Sequence, residues 1–243
     1  MVEKPLALHR SEAECIFRAF EDSGKLLTSN FVLRRSPRFV DLKSVIESGE
    51  FGTIYYVEGD YLHEVLWKIT EGWRGQMEFY CTIYGGGIHL IDLMRWLLDV
   101  EIVEVQAMGT NVLVRDTSFR HDDTIVVLMK CADGTLLKST TTFGPKRPKF
   151  HSLNVFGTKK TYVNDFPNAR MYTGVKESDV QTIEGGYQGG SNKTVLLQDF
   201  ISAIHEQRKP LVNEIDVFRV MDICFSAWEA LQQKRTLKVD YII

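Results

Sequence analysis

Met1-Val2-Glu3-Lys4-Pro5-Leu6-Ala7-Leu8 sets a lysine directly before a proline. The proline ring disfavours helical geometry in the residue ahead of it, so Lys4 is expected in an extended segment, projecting from a strand end. Immediately downstream, Ser11-Glu12-Ala13-Glu14 fits a capping box, in which Ser11 and Glu14 satisfy each other's free amides. Ala13, Ile16, Phe17 and Phe20 follow at helical spacing, and Gly24 ends the helix. Leu26 to Leu33 then reads as a strand.

Further along, Pro37 to Ser48 predicts a second helix stopped by Gly49, and the β-branched and aromatic run from Thr53 to Leu62 predicts a strand. No period holds from Glu64 to Tyr84, an aromatic loop of a length that often carries function. Gly85-Gly86-Gly87 opens a helix with Ile88, Ile91, Met94 and Leu98 on one face. Glu101–Val114, Asp123–Met129, Leu136–Phe143, Phe150–Phe156 and Thr161–Asn164 all read as strands, with Asp133-Gly134 as a hairpin turn. A polar stretch from Asp165 to Ser191 precedes two helices, around Leu197–Ile204 and Val217–Leu231, and a last strand at Thr236–Tyr241.

The short turns predict an α+β fold: a large, mostly antiparallel open sheet with helices on one face. The opening helix and strand look like the end of a doubly wound sheet. Asp123-Thr124-Ile125-Val126-Val127-Leu128-Met129 is nearly continuous in hydrophobicity, which predicts cover on both faces. Helices supply one face, so a second subunit is expected on the other.

Composition bounds the function classes. A chain of 243 residues with 44% hydrophobic and 25% charged residues is ordinary for a globular protein with a substantial core. Its net charge of −3 leaves no electrostatic footprint for nucleic acid. No apolar run approaches membrane-spanning length and no signal-peptide pattern opens the chain, so no membrane partner and a cytoplasmic location are expected. Cys15, Cys81, Cys131 and Cys224 lack Cys-x-x-Cys spacing and read as reduced core residues.

Two positions carry the chemistry. Lysine serves as a proton or hydrogen-bond donor to an alcohol oxygen when its environment lowers its pKa, which makes Lys4 a candidate. His89 is the other, expected in the first turn of a helix, where the dipole opposes protonation and a neutral imidazole can accept a proton. Asp92 lies three residues on, on the same face. Arg34, Trp73, Arg74, Asp92, Tyr187 and Asn192 are expected to line a polyol pocket, because sugars favour aromatic faces and planar hydrogen-bonding groups. His63-Glu64 and His121-Asp122-Asp123 lack third and fourth ligands at useful spacing, so no metal site is expected.

Glu3-Lys4-Pro5-Leu6-Ala7-Leu8, Asn30 to Pro37, Trp73-Arg74, Gly85 through Leu93, Phe156-Gly157-Thr158-Lys159-Lys160, Asp199-Phe200-Ile201-Ser202-Ala203-Ile204 and Pro210-Leu211-Val212 together resemble, in order and spacing, the Gfo/Idh/MocA family of oxidoreductases. The resemblance implies residues 1–35 as the end of a dinucleotide-binding domain and 36–243 as a substrate-binding and oligomerisation domain. It implies hydride transfer between NAD or NADP and a sugar, sugar derivative or polyol. Glu3, Lys4 and Pro5 would sit against the nicotinamide, and Lys4 and His89 would flank the reacting carbon. The family's aspartate four residues before the histidine falls on Gly85. A dinucleotide fold needs a glycine-rich turn for the pyrophosphate, and no Gly-x-Gly-x-x-Gly occurs in these residues. The chain alone is therefore expected to bind no cofactor and to be inactive by itself. A homo-oligomer, dimer or tetramer, through the sheet face is expected. The alternative is a non-enzymatic substrate-half domain that dimerises or binds a sugar.

Overall fold

The computed structural model describes residues 1–185, 187 and 193–243, Lys193 through its backbone alone. Helix α1 (Arg10–Ser23) begins two residues earlier than the capping box predicted. Glu12, not Glu14, accepts from the amides of Leu8 (3.0 Å) and His9 (3.1 Å). The predicted strand at 26–33 contributes one parallel bridge, Val2 to Ser29. The chain then tightens into a 3-10 turn at Val32–Arg35 and enters α2 (Pro37–Glu47) with Pro37 in its first turn.

Strand β1 (Ile54–Leu62) is followed by a short helix α3 (Leu66–Thr70), a 3-10 turn at Trp73–Gln76, and a π-helical turn at Ile83–Gly87 that runs into α4 (Ile88–Leu98). Then come β2 (Ile102–Thr110), β3 (Thr124–Cys131), β4 (Leu136–Thr142), β5 (Phe150–Gly157) and β6 (Thr161–Asn164). Strands β7 (Ala169–Tyr172) and β8 (Val180–Ile183) occupy the stretch that polarity made look irregular. Helices α5 (Lys193–Glu206) and α6 (Glu214–Gln233) precede the two-residue strand β9 (Leu237–Lys238).

All nine strands form one sheet in the order β8-β7-β6-β5-β1-β4-β3-β2-β9. Every pairing is antiparallel except β1 with β4, which run parallel. Alternation sends Val57, Leu137, Leu153, Val155, Ile125, Val127 and Met129 to one face, where they are buried against α4 and α6. Gly59 lets α4 sit directly on β1, since a Cβ there would meet Met94 Cε at 3.0 Å and Leu90 Cδ2 at 3.1 Å. Among the described residues, nothing covers the other face of β3 around Leu128. Leu128 is 51% exposed there, with Met108 at 75% and Leu136 at 53%. Cys81, Cys131 and Cys224 are buried, but Cys15 is exposed on α1 and is no core residue, because its helix position points away from the packed stripe.

Candidate active site

Four segments converge at one end of the sheet. Tyr61 near the end of β1 pairs in register with His151 near the start of β5, so both side chains share the helix-facing side. Thr141 of β4 lies beside Tyr61 in the parallel ladder. The helical segment 82–98 crosses above them, and the glycine triplet lets it come close. A Cβ on Gly86 would stand 2.6 Å from Tyr61 Cδ1 and 3.0 Å from Thr141 Cγ2, distances real Cβ atoms do not tolerate. The triplet therefore does not start the helix, as the sequence suggested. It is a π-helical insertion inside a longer helical run, and His89 sits beyond the first turn.

Lys4 arrives from the other side and donates its ammonium to the Gly85 carbonyl oxygen. Gly85 is one helical turn before His89. Burial pushes the Lys4 ammonium down to about 8, against the pull of Glu3 and with help from the positive charges of Arg74 and Lys149. Glu3 is held by Asn30, whose amide donates to it at 2.9 Å. At position 85 a side chain has no room, since a Cβ would run into the Tyr80 hydroxyl oxygen.

Aromatic and imidazole rings line the floor. The Tyr61 ring lies nearly parallel to His89 (6.4 Å between centres, 17°) and edge-on to His151 (5.2 Å). His89 and His151 stand at right angles, 6.3 Å apart. The Tyr61 hydroxyl lies 3.0 Å from His63 Nδ1. Burial pushes His151 down to about 3 and His63 down to about 4, both with a contribution from Lys149, so both rings are neutral at physiological pH. The Tyr187 hydroxyl bonds His151 Nδ1. Burial raises the Tyr187 phenol, so the phenol keeps its proton. Tyr187 is in turn wedged against Phe150 (4.7 Å) and under the Arg38 guanidinium (5.9 Å).

Trp73 and Arg74 sit on the 3-10 turn, with the Arg74 guanidinium stacked 4.4 Å over the Trp73 ring. Arg34 and Asp92, expected to line a substrate pocket, are turned away from it. Arg34 Nε bonds Asp92 Oδ2 at 3.0 Å and Oδ1 at 3.1 Å, and a second nitrogen reaches Oδ1 at 2.6 Å. Arg34 also reaches Asp216 at 3.0 Å, and Arg95 does so at 2.9 Å. With Arg34 4% and Asp92 0% exposed, the pair clamps α4 to the preceding turn and to α6 and offers no surface to a ligand. Asn192 lies outside the described residues. Among the described residues no group of three or more His, Cys, Asp and Glu is arranged to hold a metal ion.

His151, Tyr61 and His63 were missed as site residues. His151 and Tyr61 sit in strand patterns that read as core, and His63 was set aside as half of a metal pair. The signal was period-2 alternation carried past the strand ends, which sets His151 and Tyr61 on one face.

A profile of the GFO/IDH/MocA C-terminal domain matches residues 39–163. The chain belongs to the Gfo/Idh/MocA family. It is 30% identical over 128 residues to inositol 2-dehydrogenase of Salmonella typhimurium, a match that covers 51% of this chain and 35% of that protein. The chain thus spans about a third of the length of the inositol 2-dehydrogenases it matches at this level. It is 23% identical over 259 residues to myo-inositol 2-dehydrogenase of Thermotoga maritima, across 99% of this chain and 72% of that one. Among solved structures, levoglucosan dehydrogenase in complex with NADH and L-sorbose superposes with a TM-score of 0.84 at 20% identity, covering 99% of this chain and 73% of that one. An Agrobacterium radiobacter oxidoreductase in complex with NAD+, L-tartaric acid and magnesium superposes with the same TM-score, 0.84, at 16% identity over 98% and 72% of the two chains. These solved structures share the fold of this chain.

The sequence contains no Gly-x-Gly-x-x-Gly turn of the kind that holds a dinucleotide's pyrophosphate.

Proposed function

We propose that this chain supplies the substrate side of an NAD(P)-dependent dehydrogenase acting on a secondary alcohol of a sugar, sugar derivative or polyol. The observation that carries the proposal is the bond from Lys4 to the Gly85 carbonyl, one turn from His89. A lysine depressed to about 8 near an imidazole supports a proton-handling role for the pair. The kinship with inositol and levoglucosan dehydrogenases supports the substrate class.

Bound nicotinamide would accept the hydride from the alcohol carbon. Lys4 and His89 would hold and remove the hydroxyl proton, which needs both within hydrogen-bond reach of one oxygen or one water away. Trp73 and Arg74 would meet the sugar from the rim, Arg74 by its planar donors. Tyr187 would act from beneath through His151. On this reading residues 1–35 end a nucleotide-binding domain, 36–243 form the substrate domain, and the protein works in the cytoplasm.

One observation favours a second reading. These 243 residues contain no Gly-x-Gly-x-x-Gly turn, so they suit a sugar-binding or dimerising domain without turnover of its own. Spectrophotometric formation of NADH or NADPH from a panel of polyols, with the chain joined to a nucleotide-binding half, separates the two. Turnover abolished by His89→Ala supports the dehydrogenase. Sugar binding without turnover in that fusion supports the binding domain.

A further inference from the structure

The aromatic stretch 64–84 ahead of the glycine triplet holds a polar side chain that Lys4 and His89 leave without a role. Tyr80 reaches forward to Gly85. A Cβ built on Gly85 would run into the Tyr80 hydroxyl oxygen, and would stand 3.2 Å from Tyr80 Cζ and 3.3 Å from Phe143 Cζ. The phenol therefore occupies the place that a side chain at position 85 would take. Gly85 also carries the carbonyl that Lys4 bonds, one helical turn before His89. Side chains one turn apart are neighbours on a helical surface, with Cβ atoms about 5–6 Å apart. The Tyr80 hydroxyl thus stands in the side-chain position next to His89.

Two phenylalanines fix the ring. Tyr80 is edge-on to Phe119 (5.9 Å between centres, 67°) and tilted against Phe143 (6.3 Å, 60°), and both phenylalanines are buried. Phe143 lies 6.1 Å from Tyr61, which packs on His89 at 6.4 Å, so the rings run in one series from Tyr80 to His89. The Val65 amide donates to the Phe143 carbonyl at 2.9 Å, which ties the start of the aromatic stretch to the end of β4. A ring held in this way presents its hydroxyl without reorganising. Burial raises the Tyr80 phenol to about 12, so it carries its proton at neutral pH and both donates and accepts hydrogen bonds. A sugar hydroxyl does the same, and the two groups match.

We propose that Tyr80 is a substrate-binding residue, whose phenol stands in for a side chain at position 85 and bonds a hydroxyl of the sugar or polyol beside the one that reacts. The assignment rests on the cleft of Lys4 and His89 being the sugar site. It accounts for glycine at position 85, since the phenol and a side chain there exclude each other. It also makes Tyr80 a specificity residue. A substrate without the neighbouring hydroxyl leaves the phenol without its partner and is disfavoured.

Calorimetric titration with myo-inositol and its monodeoxy analogues, on the wild-type chain and on Tyr80→Phe, tests the contact. Phenylalanine keeps the ring and its packing and removes only the oxygen, so myo-inositol should bind about threefold to tenfold more weakly. The analogue that lacks the contacted hydroxyl should bind both proteins alike. Unchanged myo-inositol affinity in Tyr80→Phe would overturn the assignment and leave the sugar site standing, and so would an equal loss for every analogue. No binding by the wild-type chain would overturn the sugar-site reading and this inference with it. Urea unfolding tests the placement. Gly85→Ala should lower the unfolding midpoint, because its Cβ meets the phenol oxygen, and should lower it less in the Tyr80→Phe background. Equal drops in the two backgrounds would put the phenol elsewhere and overturn the inference too.

Discussion

Lys4 is the residue on which most depends, and its protonation state can be measured directly. A carbon-13 titration of its side chain should give a midpoint near 8, against 10.5 for a free lysine. Burial is the main cause, and the Arg74 charge adds to it, so Arg74→Gln should move the midpoint upward. His151 offers a second test through stability. Its folded pKa, about 3, lies below the unfolded value of 6.5, so the unfolded chain binds more protons between those values. Stability is therefore lost as pH falls through that window. Between pH 7 and pH 5 the loss from this one group is about 2 kcal/mol. His151→Gln should show a correspondingly smaller drop in urea unfolding between the two pH values, and an equal drop would contradict the buried neutral state. Lys4 and His89 were legible in the sequence because a proline and a glycine run mark them. Arg34 and Asp92 were misread, because residue type does not say whether an arginine meets a ligand or a buried aspartate.

At the scale of elements, the glycine triplet does more than begin a helix. It lets the segment 82–98 lie on Tyr61 and Thr141, and Gly86 leaves no room for a Cβ. Gly86→Ala should cost about 1–3 kcal/mol through overpacking, measured by chemical denaturation. It should also disturb the aromatic NMR signals of Tyr61. A substitution without effect would mean that the helix does not press on the sheet there. The triplet was visible in the sequence, but its π-helical geometry depends on strands far along the chain. Strands β7 and β8 were hidden for a related reason. Each is only four residues long within a polar stretch, and pairing of β7 with β6 and of β8 with β7, not composition, makes them strands. The predicted strand at 26–33 erred the other way, since apolar residues need a partner strand and Val2 supplies a single bridge.

For the whole molecule, the antiparallel sheet with helices on one face could be read from the short turns. The parallel β1–β4 pair could not, because it joins segments about 80 residues apart that no local pattern links. The open face exposes Met108, Leu128 and Leu136, and an apolar patch there fits a face covered by a second copy. Light scattering should show a dimer or larger assembly, and Leu128→Glu should shift it toward monomer. A wild-type monomer at working concentration would remove that expectation. A polypeptide of these 243 residues should bind neither NAD nor NADP with micromolar affinity, because its sequence contains no Gly-x-Gly-x-x-Gly. The cleft is the central claim. Its most direct test is steady-state kinetics of Lys4→Ala and His89→Ala in the chain joined to a nucleotide-binding half. Each should lower kcat by a factor on the order of 10² to 10⁴ with KM little changed, the typical worth of a proton-handling group. A kcat that survives either substitution would contradict the assignment of Lys4 and His89 to the reacting alcohol.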